Sequence, residues 1–309
     1  MHKSINKRNF ACKFCIIMSI RHKEQQDKWR GVRYASIFSR RNIESIFCDD
    51  FTLFDELIQT YDKQIVGQDI INYKNYFCYA FRYLMRNYRN EYIVKNALLN
   101  NLIKHHGTSQ TVAFNEFRVG KSIADLVLFN GNSRAYEIKT EYDSPKRLGT
   151  QMIDYNELFQ FCYLVVHEQY YEKYHKDINS NVGVIIYSLD RGHIHFEEKQ
   201  PATENTNINP YLLMRCLRTE EYKRIVSLYY DSLPEMNSFT AFEICEELMA
   251  NVPASKLHEF FISTMKERRS NMKYLKEYES YLRQLCLSMH IMPKEYDILY
   301  SKLLTNITI

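Results

Sequence analysis

Apolar positions change their spacing twice along this chain. Between Asp50 and His106 they recur every three or four residues ("FDELIQTY", "YAFRYLMRNY", "YIVKNALLNNLI"), the spacing that gives a helix one apolar face. Asn90 precedes Glu91 and Tyr92, and Gly107 follows His106, so the last of these helices is predicted to start at an asparagine cap and stop at a glycine. The pattern then shortens. Residues 112–118 ("VAFNEFR"), 123–129 ("IADLVLF") and 134–140 ("RAYEIKT") are rich in β-branched and aromatic residues and are separated by "VGKS" and "NGNS". These predict three antiparallel strands joined by tight turns. Pro145 opens a helical period that runs through Phe159. "FCYLVVHE" reads as a strand buried on both faces, followed by a helix over 169–177, the strand "VGVIIYSL" and an edge strand "HIHFEE". From Pro210 the helical period returns, as in "ASKLHEFF" and "YESYLRQLCLSM". The predicted fold is α/β: an α-β-β-β-α-β core with a mixed central sheet between helical flanks. Its parts are a basic, helical region 1–80, the core 81–199 and a helical region 200–309.

Polar residues interrupt the two central strands. Side chains two apart share a strand face, so Glu137 and Lys139 point one way and Tyr136 and Ile138 the other. Asp125 stands in the preceding strand among Ile123, Ala124, Leu126, Val127 and Leu128, and hairpin pairing across "NGNS" brings it beside Glu137. Two carboxylates that converge in a sparsely hydrated site repel each other. A divalent cation relieves that repulsion, and hard oxygen ligands suit Mg2+ or Mn2+. The Lys139 ammonium group could hold a water or offset charge on a phosphate, so the set suits cation-assisted hydrolysis of a phosphodiester. The simpler reading, a cross-strand salt bridge between exposed residues, stays open.

Asp125, eleven intervening residues and then Glu137-Ile138-Lys139 on consecutive strands resemble the PD-(D/E)XK nuclease superfamily, whose restriction-endonuclease-like core has this order of elements. Ala124 stands where that motif has proline. The resemblance implies that Asp125, Glu137 and the Ile138 carbonyl bind the metal and that Lys139 assists the attacking water. Gln151 and Tyr155 in "GTQMIDY" lie four apart on the next helix and so on one face, similar to the Gln-x-x-x-Tyr element of the RecB-like branch. Their implied role is to orient the site and the DNA. Glu116 on the first strand, or Glu91 on the first helix, stands where many members keep a further acidic ligand, and Glu116 is the better placed. Arg147, one turn before Gln151, is a candidate phosphate contact. The segments "NEFRVGKSIADLVLFNG" and "AYEIKTEYDSPKRLGTQMIDY" look like a small bacterial branch of the superfamily, over roughly residues 90–190.

Composition adds limits. A chain of 309 residues with 45% apolar and 25% charged residues is ordinary for a globular protein and poor for a disordered or membrane-embedded one. The net charge is only +4, yet residues 1–41 hold eleven Lys or Arg against Glu24 and Asp27. Such an arm suits phosphate backbones, and suits equally a solvated terminus. Cys12 and Cys15 form the one CxxC, with no second pair to complete a zinc site. The remaining cysteines are scattered, as in a reducing compartment. The apolar run near the start is broken by Lys13 and lacks a cleavage site, so the expected location is cytoplasmic. His105, His106, His193 and His195 have no partner at metal or triad spacing. No glycine-rich phosphate loop is present. The expectation is a Mg2+-dependent nuclease acting on DNA, with a homodimer or protein partner engaged through the helical flanks and no membrane. The competing expectation is a non-catalytic nucleic-acid-binding or assembly module on the same fold.

Overall fold

A computed structural model describes residues 25–308. Cys12, Cys15 and the basic residues Lys3, Lys7, Arg8, Lys13, Arg21 and Lys23 lie outside the described residues. The chain divides into two compact units, one reaching to Ile93 and resuming at Lys294, the other comprising Val94–Pro293.

The first unit is helical: α1 (25–35), α2 (Arg40–Phe47), α3 (Thr52–Leu57), α4 (Tyr73–Asn87) and α13 (Pro293–Leu303). Its core joins Tyr34, Ile37, Phe38, Ile43, Ile46, Phe54, Tyr76 and Phe77, all buried. Asp62 is also buried, and it is held by four groups. Tyr76 Oη donates at 2.7 Å and Tyr79 Oη at 3.1 Å, while Tyr34 Oη and the Arg30 guanidinium donate from α1. The Arg30 guanidinium also lies over the rings of Tyr34, Tyr61 and Tyr83 at 5.1, 5.6 and 4.8 Å. Much of the described part of the basic segment is thus used internally: Arg30 by Asp62, Arg33 by Glu56 at 3.3 Å and Arg40 by Glu44 at 4.0 Å.

The second unit holds one six-stranded mixed sheet in the order β1 to β6: Val112–Val119, Ser122–Phe129, Ser133–Lys139, Phe161–His167, Gly183–Asp190 and His193–Gln200. The pairs β1·β2, β2·β3 and β5·β6 are antiparallel, while β3·β4 and β4·β5 are parallel. Helix α5 (Glu91–His106) leads into β1, and it begins after Asn90, whose Oδ1 accepts the Ile93 N–H at 3.3 Å. It ends at Gly107, where φ is +69°, a backbone conformation that costs glycine little. Parallel pairing of β3 and β4 requires a crossover. Helix α6 (Leu148–Asn156) supplies it, entered through a 3-10 turn at Pro145–Arg147 whose Ser144 side chain accepts the Lys146 N–H. The central β4 is apolar because helices or neighbouring strands surround it, whereas β6 lies at one edge of the sheet and alternates toward solvent. The α/β class, the mixed sheet and the helical flanks agree with the sequence reading.

The carboxy-terminal helices α8 (Pro210–Cys216), α9 (Thr219–Tyr230), α10 (Ala241–Ala250) and α11 (Ala254–Glu267) share the core of this sheet. Phe261 of α11 meets Phe117, Phe129 and Phe159 with ring centroids 6.5, 5.1 and 5.9 Å away. The helix predicted over "YESYLRQLCLSM" is shorter, with only Arg283–Ser288 helical as α12. The Ser280 carbonyl instead accepts Asn96 Nδ2 and Asn100 Nδ2, each at 2.9 Å. Among the described residues no helix is long and apolar enough to cross a membrane.

Candidate active site

The β2·β3 ladder stops one residue short of the site. Backbone pairing runs from Phe129↔Ser133 to Leu126↔Tyr136; one step further would place Asp125 opposite Glu137. There the Asp125 side chain takes over, and its Oδ2 accepts the Ile138 N–H at 2.7 Å. The carboxylate thereby ties the two strands together where they part, and its placement follows from the hairpin register. Ile138 turns its own side chain into the apolar interior.

Glu137 and Lys139 share the strand face that α6 covers. Both are buried, at 2% and 9% exposure. Lys139 Nζ donates to Glu137 Oε1 at 2.6 Å and to Gln151 Oε1 at 3.2 Å. The Tyr155 hydroxyl lies 2.8 Å from Glu137 Oε2 and 2.7 Å from the Ile123 carbonyl. Gln151 and Tyr155 are one turn apart on α6, so a single helix closes the site over β3. The reading of Glu137 and Lys139 as an exposed salt bridge therefore fails on their burial. Buried charges require partners, and here Glu137 and Lys139 of β3 find them in each other and in Gln151 and Tyr155 of α6.

Burial, and after it the charge of Asp125, push the Glu137 carboxyl above its ordinary range, against the opposing pull of Lys139 and Tyr155. Burial and the adjoining Glu137 likewise raise the Tyr155 phenol. The phenol has one proton and two acceptors within reach.

A second lysine, not foreseen in the sequence, completes the cluster. Lys95 of α5 lies 3.0 Å from Asp125 Oδ1 and is only 6% exposed. Two carboxylates are therefore matched by two ammonium groups. Glu91, one turn earlier on α5, is exposed, as is Glu116. Glu116 stands across β1·β2 from Asp125 with a φ of +51°, and the flanking pairs Asn115↔Leu126 and Phe117↔Ala124 keep register around it. Among the described residues no three His, Cys, Asp or Glu side chains come close enough to share a metal ion, so Glu116 is not brought to the pair. Arg147 is exposed at the end of the 3-10 turn before α6.

The chain matches a family model described as Bacteriophage P4 protein cII over residues 85–292. Protein cII of Enterobacteria phage P4 is 27% identical over 177 residues, which cover 57% of this chain and 66% of that protein. The aligned part is thus just under two thirds of that relative's length. A solved structure of a protein of unknown function from Silicibacter pomeroyi is 14% identical, covers 46% of this chain and 93% of its own, and has a TM-score of 0.30, too low a likeness to carry an argument. The span matched by the family model takes in the whole sheet together with Lys95, Asp125, Glu137, Lys139, Gln151 and Tyr155, and the chain belongs to the bacteriophage P4 protein cII family.

Proposed function

We propose that this protein is a divalent-cation-dependent phosphodiesterase acting on nucleic acid, DNA being the first candidate, with a restriction-endonuclease-like core. The observation that carries the reading is the buried convergence of Asp125, Glu137 and Lys139, with Gln151 and Tyr155 delivered by the crossover helix. A buried network with no task beyond stability is commonly matched or surpassed by apolar packing. The order of elements from α5 to β4 is consistent with the same reading.

The donor set suits Mg2+ or Mn2+. Asp125 and Glu137 offer hard carboxylate oxygens from adjacent strands, with the Ile138 carbonyl next to Glu137 in sequence, and Mg2+ needs only one or two protein carboxylates alongside water and phosphate. When bound, such a cation supplies Lewis-acid polarisation of the phosphate and a more acidic water. The chain's own residues do the rest. Asp125 fixes the spacing of β2 and β3 through Ile138 N–H. Lys139, held by Gln151, presents a positive charge where the attacking water and the phosphate would meet. Tyr155 holds the Glu137 carboxyl in orientation. Helix α6 keeps bulk water off this face.

Incubating the purified protein with single- and double-stranded DNA and RNA, with Mg2+, Mn2+ or a chelator, tests the reading. Cleavage is expected with a cation, and Asp125→Ala and Lys139→Ala should each lower it by at least about a hundredfold. Cleavage that persists unchanged in both variants would sink it. One observation favours a second reading, a non-catalytic nucleic-acid-binding module: Lys95 and Lys139 already neutralise both carboxylates. Salt-dependent binding without cation-dependent turnover would select that alternative.

A further inference from the structure

Lys95 has no part in the chemistry just proposed, yet it is the buried ammonium group that faces Asp125. The two oxygens of that carboxylate are used differently. Oδ2 is committed to the sheet by the Ile138 N–H at 2.7 Å. Oδ1 is the oxygen that the sheet leaves for a cation, and Lys95 Nζ lies 3.0 Å from it. We propose that Lys95 is a resident counter-ion of Asp125, a positioning residue that occupies the cation's place at Oδ1 and must withdraw for the cation to load. The proposal rests on the reading of Asp125 and Glu137 as cation ligands.

The charge balance carries it. The cluster holds two carboxylates and two ammonium groups, and adding a dication to it unchanged would bring three cations together around two anions. Like charges a few ångströms apart in a poorly hydrated site repel strongly, so one ammonium group has to leave. Lys139 is the less able to do so. It springs from the same strand as Glu137, two residues on, and is bonded to both Glu137 and Gln151. Lys95 comes from a separate helix on a long, flexible stem, and a small rotation of that stem removes it from Oδ1. Its presence keeps Asp125 positioned and paired while no cation is bound, at the expense of cation affinity.

Mn2+ binding to the full-length protein, measured by calorimetry and by the loss of the free-ion electron paramagnetic resonance signal, tests this without any catalytic readout. Lys95→Met keeps the stem and removes the charge, and is expected to tighten Mn2+ binding by about tenfold or more, whereas Lys95→Arg keeps the wild-type affinity or weakens it. In chelator the Lys95→Met protein should melt below wild type, and saturating Mn2+ should raise its melting temperature more than it raises that of wild type. Lys95→Gln serves if the methionine variant does not fold. Equal or weaker Mn2+ binding in the neutral variants, with binding still abolished by Asp125→Asn, overturns the counter-ion proposal and leaves the cation site standing. Absence of Mn2+ binding in wild type and in every Lys95 variant overturns both.

Discussion

A carboxylate and an ammonium group on one buried strand face are tolerable only inside a network that satisfies each atom, and the residues of this network have separable effects. Removing the Tyr155 hydroxyl takes a partner from Glu137 Oε2 and from the Ile123 carbonyl at once. Tyr155→Phe is expected to lower stability in urea unfolding by about 1–3 kcal/mol; an unchanged midpoint would mean that water replaces the phenol. The raised Glu137 carboxyl gives a pH signature in chelator. Because its folded-state pKa lies above the unfolded value of about 4.3, its favourable contribution is complete below that value and is lost as pH rises through the folded-state pKa. The stability of wild type relative to Glu137→Gln should therefore fall as pH rises from about 4 toward neutrality. A difference that rises with pH contradicts the placement of Glu137. Asp125, Glu137 and Lys139 were legible in the sequence because charged residues stand out in apolar strands of period two. Lys95 was not. In helix α5 the polar Lys95, Asn96, Asn100 and Asn101 are interleaved with the buried Ile93, Val94, Leu98 and Leu99, so no single polar face marked that lysine as inward or outward. Glu116 was misleading for the opposite reason: its position across from Asp125 was right in register, but its left-handed backbone leaves the side chain exposed.

At the scale of elements, the turns and caps were the strongest sequence signals, since Asn90, Gly107, Pro145 and the "VGKS" and "NGNS" turns act through local backbone geometry alone. Tertiary contacts defeated the periodicity where they used a backbone carbonyl, as at Ser280. Helix α9 offers a further test. Glu221 accepts the Arg218 N–H at 2.7 Å and receives Arg268 in a two-pronged contact at 2.8 and 2.6 Å. Arg268 also reaches the Cys216 carbonyl at 2.9 Å, at the end of α8. Partial burial would raise the Glu221 carboxyl, but Arg268 and the Arg218 N–H outweigh it and hold the group below its ordinary value. A depressed folded-state pKa gives stability that is present above the unfolded value and lost as pH falls through the folded one. Wild type should therefore lose stability on acidification below about pH 4.3 more steeply than Glu221→Gln, and that variant should be weaker by about 1–3 kcal/mol at neutral pH. Parallel acid limbs in chemical denaturation would count against the α8–α9–α11 clasp.

At the scale of the molecule, the helices after Pro210 are shared out in a way periodicity does not encode. Those from α8 to α12 belong with the sheet, whereas α13 belongs with the amino-terminal unit. There Lys74 Nζ donates to Tyr300 Oη at 2.7 Å and Lys302 pairs with Asp49 at 2.5 Å. Distant segments of one chain meet by packing, and amphipathic faces do not name their partners. The internal pairing of Arg30, Arg33 and Arg40 moves the proposed nucleic-acid affinity toward residues 1–23, which carry Lys3, Lys7, Arg8, Lys13, Arg21 and Lys23 and no acid. Deleting residues 1–23 is expected to weaken duplex DNA binding and to flatten its dependence on log salt by about 0.9 for each phosphate that the segment neutralises. An unchanged slope would exclude this segment from the interface. For the site itself, the decisive measurement is anomalous scattering from crystals grown in Mn2+. One or two peaks within ligand distance of Asp125 Oδ1 and a Glu137 carboxylate oxygen, with Lys95 turned away, are expected. Peaks confined to other residues, with Lys95 still bound to Asp125 at saturating Mn2+, would contradict the assignment of this cluster as a cation-dependent catalytic centre.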